Sequence, residues 1–318
     1  MSQSQFEPSW NTSFEPEMKP TAEVRGSSEL FQYFLLPALF HIPLVLVLRA
    51  FPTLGLFYVL LILIIGLFQL KRDKPDALIL VSGYISSAEL IWRMTNAPVF
   101  WETGKYLLVL LLGLGILRWR SRLARKPLFY FLVLIPSAIL TLNQIGLSTA
   151  RDYLSFNLSG PLLISVAGVF FSGISLTRKT FNRLLLIAII PIMGVWTLAF
   201  SSTLSIERIL FTNYSNFATS GGYGPNQLSA LLGLGVLYCW LYRFNARPKG
   251  GESWLIISVG LALLAQAILT FSRGGVFNLV QKRCGRISVR CRLYDPNRDL
   301  EVYYLADPRT VSGDHFSA

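Results

Sequence analysis

Charge is scarce in this chain. Asp, Glu, Lys and Arg make up 14% of its 318 residues, against about 25% in an average soluble domain. So few charges cannot cover a water-facing surface, which argues against a soluble enzyme. The 53% apolar content argues equally against a disordered protein. Cysteine is nearly absent, with three residues at no framework spacing, so a disulfide scaffold is excluded. Only two histidines occur, and His315 with Cys284 and Cys291 has no zinc-like spacing, so no metal site is expected. There is no Walker A pattern, and the glycines of 221–224 do not follow a strand. An ATP-driven machine is therefore unsupported, and no cofactor is expected. No stretch alternates with period two over about ten residues, as a lipid-facing barrel strand would. The first thirty residues are polar and hold five Glu, so they do not read as a cleavable signal peptide.

What the chain has is long apolar runs, with a mean hydropathy of +0.50. They predict nine helical spans near 31–49, 53–70, 76–93, 104–119, 127–146, 160–177, 184–205, 226–243 and 253–271. Most approach the roughly 20 residues a bilayer core requires; the fourth and sixth are short. The expected fold is therefore all-α: a polytopic integral membrane protein of about nine transmembrane helices, embedded among membrane lipids. Residues 1–30 read as a disordered acidic tail and residues 31–280 as the transmembrane domain.

The basic residues sit between spans. The connections after the second, fourth, sixth and eighth spans carry fourteen, among them Lys71, Arg118, Arg178 and Arg243. The other four carry only Arg49, Arg93, Lys105, Arg151 and Arg208. The positive-inside rule places the first set, and with it the N-terminus, in the cytoplasm. The acidity of the N-terminal tail does not oppose this, because Asp and Glu weigh little in that rule. The net charge of +12 thus reports topology, and no nucleic-acid partner is expected.

From about Gln281 the character changes. Residues 281–318 hold seven Lys/Arg and five Asp/Glu and no apolar run. They follow Phe271–Val280, which reads as the start of a tenth span that does not continue. Two readings stand: a true soluble tail, or a frameshift or truncation that replaced further membrane segments. The second is preferred, because a helix stopping after a few apolar residues leaves backbone groups open.

Three outward-facing features could carry chemistry. Ser272-Arg273-Gly274-Gly275 ends the ninth span. Its arginine cannot lose its charge and offers a planar fork of donors suited to phosphate. The plain alternative is a helix-end arginine that snorkels before a turn. Thr219–Gln227 is a Gly-rich loop running into a helix at Pro225, where free N–H groups favour anions; a simple turn and cap is the alternative. Arg151–Pro161 reads as another outer loop entering a helix, and a plain loop accounts for it as well. Within the third span Glu89 and Arg93 lie four apart on one helical face, Glu first, the favourable order. Ionisable residues inside a span are costly and functional by default, although an internal ion pair that fixes packing explains them equally. Trp92 and Trp101 fit an interfacial aromatic belt. Glu102 and Lys105 start the next helix. His41 reads as a packed polar residue.

Taken in order, these motifs resemble the bacterial O-antigen ligase and polymerase superfamily. Gly-Pro-Asn-Gln (224–227) opens one helix, and Leu-Thr-Phe-Ser-Arg-Gly-Gly (269–275) ends the next. Upstream, residues 89–95, 101–106 and 155–162 are similar to segments of its exopolysaccharide-type members. The resemblance covers about residues 31–280. It implies an inner-membrane glycosyltransferase taking a glycan from an undecaprenyl-pyrophosphate carrier on the outer face. The acceptor would be lipid A-core or a growing polysaccharide, and lipid pyrophosphate would leave from the anomeric carbon. By the same resemblance Arg273 neutralises the pyrophosphate, the catalytic role, with Lys105, Arg151, Arg208 and Asn226 as substrate-binding candidates. Two departures stand out. The later outer loop with a histidine base is missing, and no arginine closely precedes the Pro-Asn; Arg208 is further upstream. The chain thus reads as the N-terminal part of such an enzyme, with catalysis expected of a full-length form. A secondary transporter or flippase built on Glu89 and Arg93 is the rival reading.

Overall fold

The computed structural model describes residues 30–119, 125–145, 147–172, 174–205 and 217–270. Arg208 and Arg273, the tail 281–318 and nearly all of residues 1–30 lie outside them, as does the side chain of Arg151. Nine helices make up the described residues: α1 (Phe31–Ala50, its first turn π-helical), α2 (Leu54–Gln69), α3 (Asp76–Met94), α4 (Thr103–Trp119), α5 (Arg125–Ile145), α6 (Leu147–Ser172), α7 (Arg178–Leu204), α8 (Pro225–Ala246) and α9 (Gly251–Leu269). Five of them, α3, α7, α9, all of α1 and the Tyr153–Ser172 part of α6, are long and apolar enough to cross a membrane; α2 and Lys126–Leu142 of α5 are shorter and apolar. The molecule is an α-helical membrane protein.

Ser82, Ser87 and Ala88 of α3 are buried on different sides of the helix, which packs chiefly on α7. Around that pair lie α1, α4, α8 and α9. By contrast α2 turns Phe57, Leu60, Leu61, Ile64 and Phe68 outward. An exterior of that composition is stable only against lipid. Small residues set the close approaches. A Cβ on Gly55 would lie 2.5 Å from that of Ala97, and one on Gly194 would lie 2.8 Å from Val45 Cγ1.

Inside the bundle His41 is no isolated polar group. Its Nδ1 meets the Pro37 carbonyl at 2.9 Å and its Nε2 meets the Tyr84 hydroxyl at 2.5 Å; Tyr84 in turn bonds Tyr58. This chain ties α1, α3 and α2 together where unpaired polar groups would be most costly.

Two expectations need correction. Residues 147–160 do not form a loop. They are helical, so Arg151 sits in the second turn of α6 and Pro161 lies in its interior. The polar residues that suggested a break bond back within the helix: Asn157 Nδ2 donates to the Tyr153 carbonyl at 2.8 Å, and Ser159 Oγ to that of Phe156 at 3.5 Å. Ending a helix there would leave several backbone groups unsatisfied, and interior prolines are tolerated in membrane helices. Trp92 is not an interfacial belt residue either. It is 2% exposed, whereas Trp101 is half exposed.

The loops alternate between two ends of the bundle. At one end, Lys74, Asp76, Trp119, Phe170, Ile174 and Thr177 line a cavity of about 380 Å³. Arg178 donates to the Asn245 carbonyl, and the Asn245 amide reaches Asn182 at 2.5 Å. The basic connections after α2, α4, α6 and α8 therefore share this end. The opposite end holds the 95–102 turn, the 217–224 loop and the C-terminus of α9.

Candidate functional site

The site is built where α3 stops. Asn96, in the left-handed region at φ 53°, and Ala97 close the helix. The Ala97 N–H reaches the Trp92 carbonyl at 2.9 Å and the Asn96 N–H reaches that of Arg93 at 3.2 Å. This is the Schellman pairing, and Asn is one of the few residues that tolerates its left-handed position. The tight stop returns the chain within eight residues to α4, so Glu102 and Lys105 face Glu89 and Arg93.

Four charges then interlock. Arg93 pairs with Glu89 on its own helix, as the four-residue spacing predicts, and with Glu102 Oε2 at 3.6 Å. Lys105 pairs with the same Glu102 oxygen, and Ser159 Oγ of α6 donates to it at 3.3 Å. Lys105 Nζ also reaches Ser159 Oγ at 3.3 Å. Glu102 is 4% exposed, and its other oxygen, Oε1, has no hydrogen-bond partner among the described residues. Two carboxylates and two cations balance, which is how buried charge is tolerated. Gly104 makes the contact possible: a Cβ there would fall 2.8–3.0 Å from the Glu89 side chain.

Arg93 is fixed on every side. Its Nε donates to the Trp101 carbonyl at 3.0 Å, one terminal nitrogen lies 3.5 Å from Gln227 Oε1, and its guanidinium lies 4.8 Å from the Trp101 ring centre. Trp101 stacks on Tyr223, with centroids 5.9 Å apart at 28°. Burial pushes the Tyr223 hydroxyl above the ordinary phenol range, against the pull of Arg93, so it stays neutral at physiological pH. Beside these groups a cavity of about 240 Å³ is lined by Glu89, Trp92, Arg93, Asn96, Phe100 and Trp101, among others.

The Gly-rich loop joins the same end. Residues 217–220 make one turn, closed by Gly221 and Gly222 at φ 73° and 76°, a region where a side chain would be strained. Gly224 and Pro225 then start α8, with Pro at its expected place in the first turn. Thr219 anchors the loop. Its hydroxyl donates to the Leu269 carbonyl at 2.8 Å, and its own carbonyl accepts from Gln266 Nε2 at 2.8 Å and from Thr203 Oγ1 at 3.3 Å. Gln266 also reaches Thr203 Oγ1 at 3.0 Å. We expect Gln266→Leu to cost about 1–3 kcal/mol, because it strips a buried donor from two partners. Thermal unfolding in detergent and faster amide exchange over 217–224 would register it; unchanged exchange would contradict the anchoring role.

Of the residues expected to bind substrate, Lys105 and Asn226 lie among the described residues and at this end. Lys105 is engaged by Glu102 and Ser159, and Asn226 is the second residue of α8. The clustering of Arg93, Glu102 and Ser159 across three helices was not anticipated. A polar residue inside an apolar run, Ser159 in α6 and Gln266 in α9, was the available signal. No family model, curated protein or solved structure matches the chain.

Proposed function

We propose that the protein is a membrane glycosyltransferase of the O-antigen ligase and polymerase type. In this reading it has nine spans and a cytoplasmic N-terminus in a bacterial inner membrane. It moves glycan from an undecaprenyl-pyrophosphate carrier to lipid A-core or to a growing polysaccharide on the outer face. The observation that carries the proposal is the convergence at one end of the bundle. The Arg93–Glu102–Lys105 cluster, the Gly-Pro-Asn-Gln helix start and the end of α9 lie together there, while the basic connections gather at the other end. Positive-inside bias makes the basic end cytoplasmic and the converging end external, where a lipid-linked glycan is presented. Arg273 follows Thr270 by three residues in the sequence. In this reading its charge stabilises the departing pyrophosphate.

The location of Glu89 and Arg93 favours this reading over a transporter. Arg93 is the second-last residue of α3 and pairs with the start of α4, at a helix end rather than at mid-membrane where transporter sites lie. Deleting the gene in its host separates the two readings. A transferase leaves undecaprenyl-linked glycan accumulating on the outer leaflet; a flippase leaves it on the inner leaflet, and that outcome would overturn the proposal.

A further inference from the structure

We propose that the cavity at the end of α3 is a saccharide subsite, and that Glu89 is the base that takes the proton of the acceptor hydroxyl. This deepens the transferase reading and rests on it for the chemical step. The binding claim rests on the cavity alone.

Glu89 lines the cavity with one oxygen unengaged. Arg93 takes its Oε1, while Oε2 makes no hydrogen bond among the described residues. The cavity therefore presents an unmet carboxylate acceptor, and a hydroxyl meets it by donating to Glu89.

Other ligand classes fit less well. An anion would face Glu89, and Arg93 already has two carboxylate partners. A cation would face the Arg93 guanidinium. A purely apolar ligand would leave the carboxylate oxygen unmet. What fits is a neutral ring rich in hydroxyls, with the exposed faces of Phe100 and Trp101 at the cavity rim for its apolar face. At about 240 Å³ the cavity is smaller than the roughly 300–1,000 Å³ of drug-sized sites, a size for one sugar ring rather than an oligosaccharide.

The chemistry follows from how Glu89 is held. Arg93 pins one oxygen, and Gly104 leaves room for the carboxylate against α4. Arg93 itself is locked by Trp101, Gln227 and Glu102. The free oxygen is thus fixed and available. As the acceptor oxygen forms its bond to the anomeric carbon of the donor, the bond from that carbon to phosphate breaks. The electron pair leaves with the lipid pyrophosphate, and the hydroxyl proton passes to Glu89. Solvent at the open end of the cavity then takes it away. A positioned base of this kind contributes about 10²–10⁴-fold.

The test uses the full chain in lipid nanodiscs. Saturation-transfer NMR reads binding of the methyl glycosides of glucose, galactose, rhamnose and N-acetylglucosamine. We expect at least one to bind. Trp101→Ala should weaken it about two- to tenfold, the effect of one lost aromatic face. Val99→Trp, which fills the cavity from the 95–102 turn without touching the charges, should abolish it. Failure of all four glycosides to bind, or binding indifferent to both variants, overturns the subsite. Transfer is read separately in host membranes. Glu89→Gln should lose transfer by 10²-fold or more, well beyond any change in glycoside binding, and lose the acidic limb of the pH–rate profile, with Glu89→Asp restoring part of the rate. Full transfer activity in Glu89→Gln overturns the base. Glycoside binding sensitive to both variants, in membranes that show no transfer with the wild-type chain, supports the subsite and removes the transferase reading.

Discussion

Glu102→Ala is expected to destabilise the protein by about 3 kcal/mol or more. Glu102 is 4% exposed and is the shared partner of Lys105, Arg93 and Ser159 from three different helices. Removing it leaves two cations facing one remaining carboxylate, Glu89, which Arg93 already holds. The lost attraction is the smaller part of the effect; the larger part is the desolvated charge left without a partner. Lys105 is 25% exposed and can turn toward water, which places the expected value near the lower end of the range for buried pairs. The control is Glu102→Ala with Lys105→Met. Removing both charges should recover part of the loss, because it leaves no uncompensated lysine. Thermal unfolding of the two variants in detergent checks this. Equal losses in the single and double variants would mean that the cluster acts through packing rather than charge.

Arg273→Ala is expected to reduce glycan transfer by about 10²–10³-fold while leaving protein level and membrane insertion unchanged. The proposal gives Arg273 a role in the chemical step alone, so its loss should not be felt as instability. Its effect should be confined to the step in which negative charge develops on the pyrophosphate. Arg273→Lys should recover only part of the rate, because a lysine keeps the charge and loses the two-pronged geometry. Transfer measured in membranes of the complemented deletion strain reads all three forms. Unchanged transfer in Arg273→Ala would remove the residue from the mechanism.

The helices were legible because the membrane simplifies the problem. Apolar runs of bilayer length have one stable solution, and all nine expected spans coincide with helices to within a few residues at most ends. The exceptions are instructive. The sixth helix begins at Leu147, thirteen residues before its expected start, because Asn157 and Ser159 satisfy themselves within the helix instead of capping it. Helix α7 begins at Arg178, where Thr177 caps it by accepting from the Thr180 N–H at 3.1 Å; charged residues had hidden that turn. The Glu89–Arg93 pair was readable from spacing alone, since a helix fixes the geometry of residues four apart. Its extension to Glu102, Lys105, Ser159 and Gln227 was not, because those contacts join residues up to 134 positions apart and depend on how four helices pack. Trp92 shows the same limit. A tryptophan near a helix end reads as an interfacial anchor, and only the packing of the bundle, with Tyr58 of α2 edge-on to its ring, buries it.

The central claim, transfer of lipid-linked glycan at the outer end of the bundle, is tested most directly in membranes from the host. Undecaprenyl-pyrophosphate carrying a radiolabelled glycan would be supplied at the outer face of membranes with and without the gene. The account predicts that label moves into lipid A-core or polymer only where the gene is present, with release of undecaprenyl pyrophosphate. Equal incorporation in both membranes would contradict it.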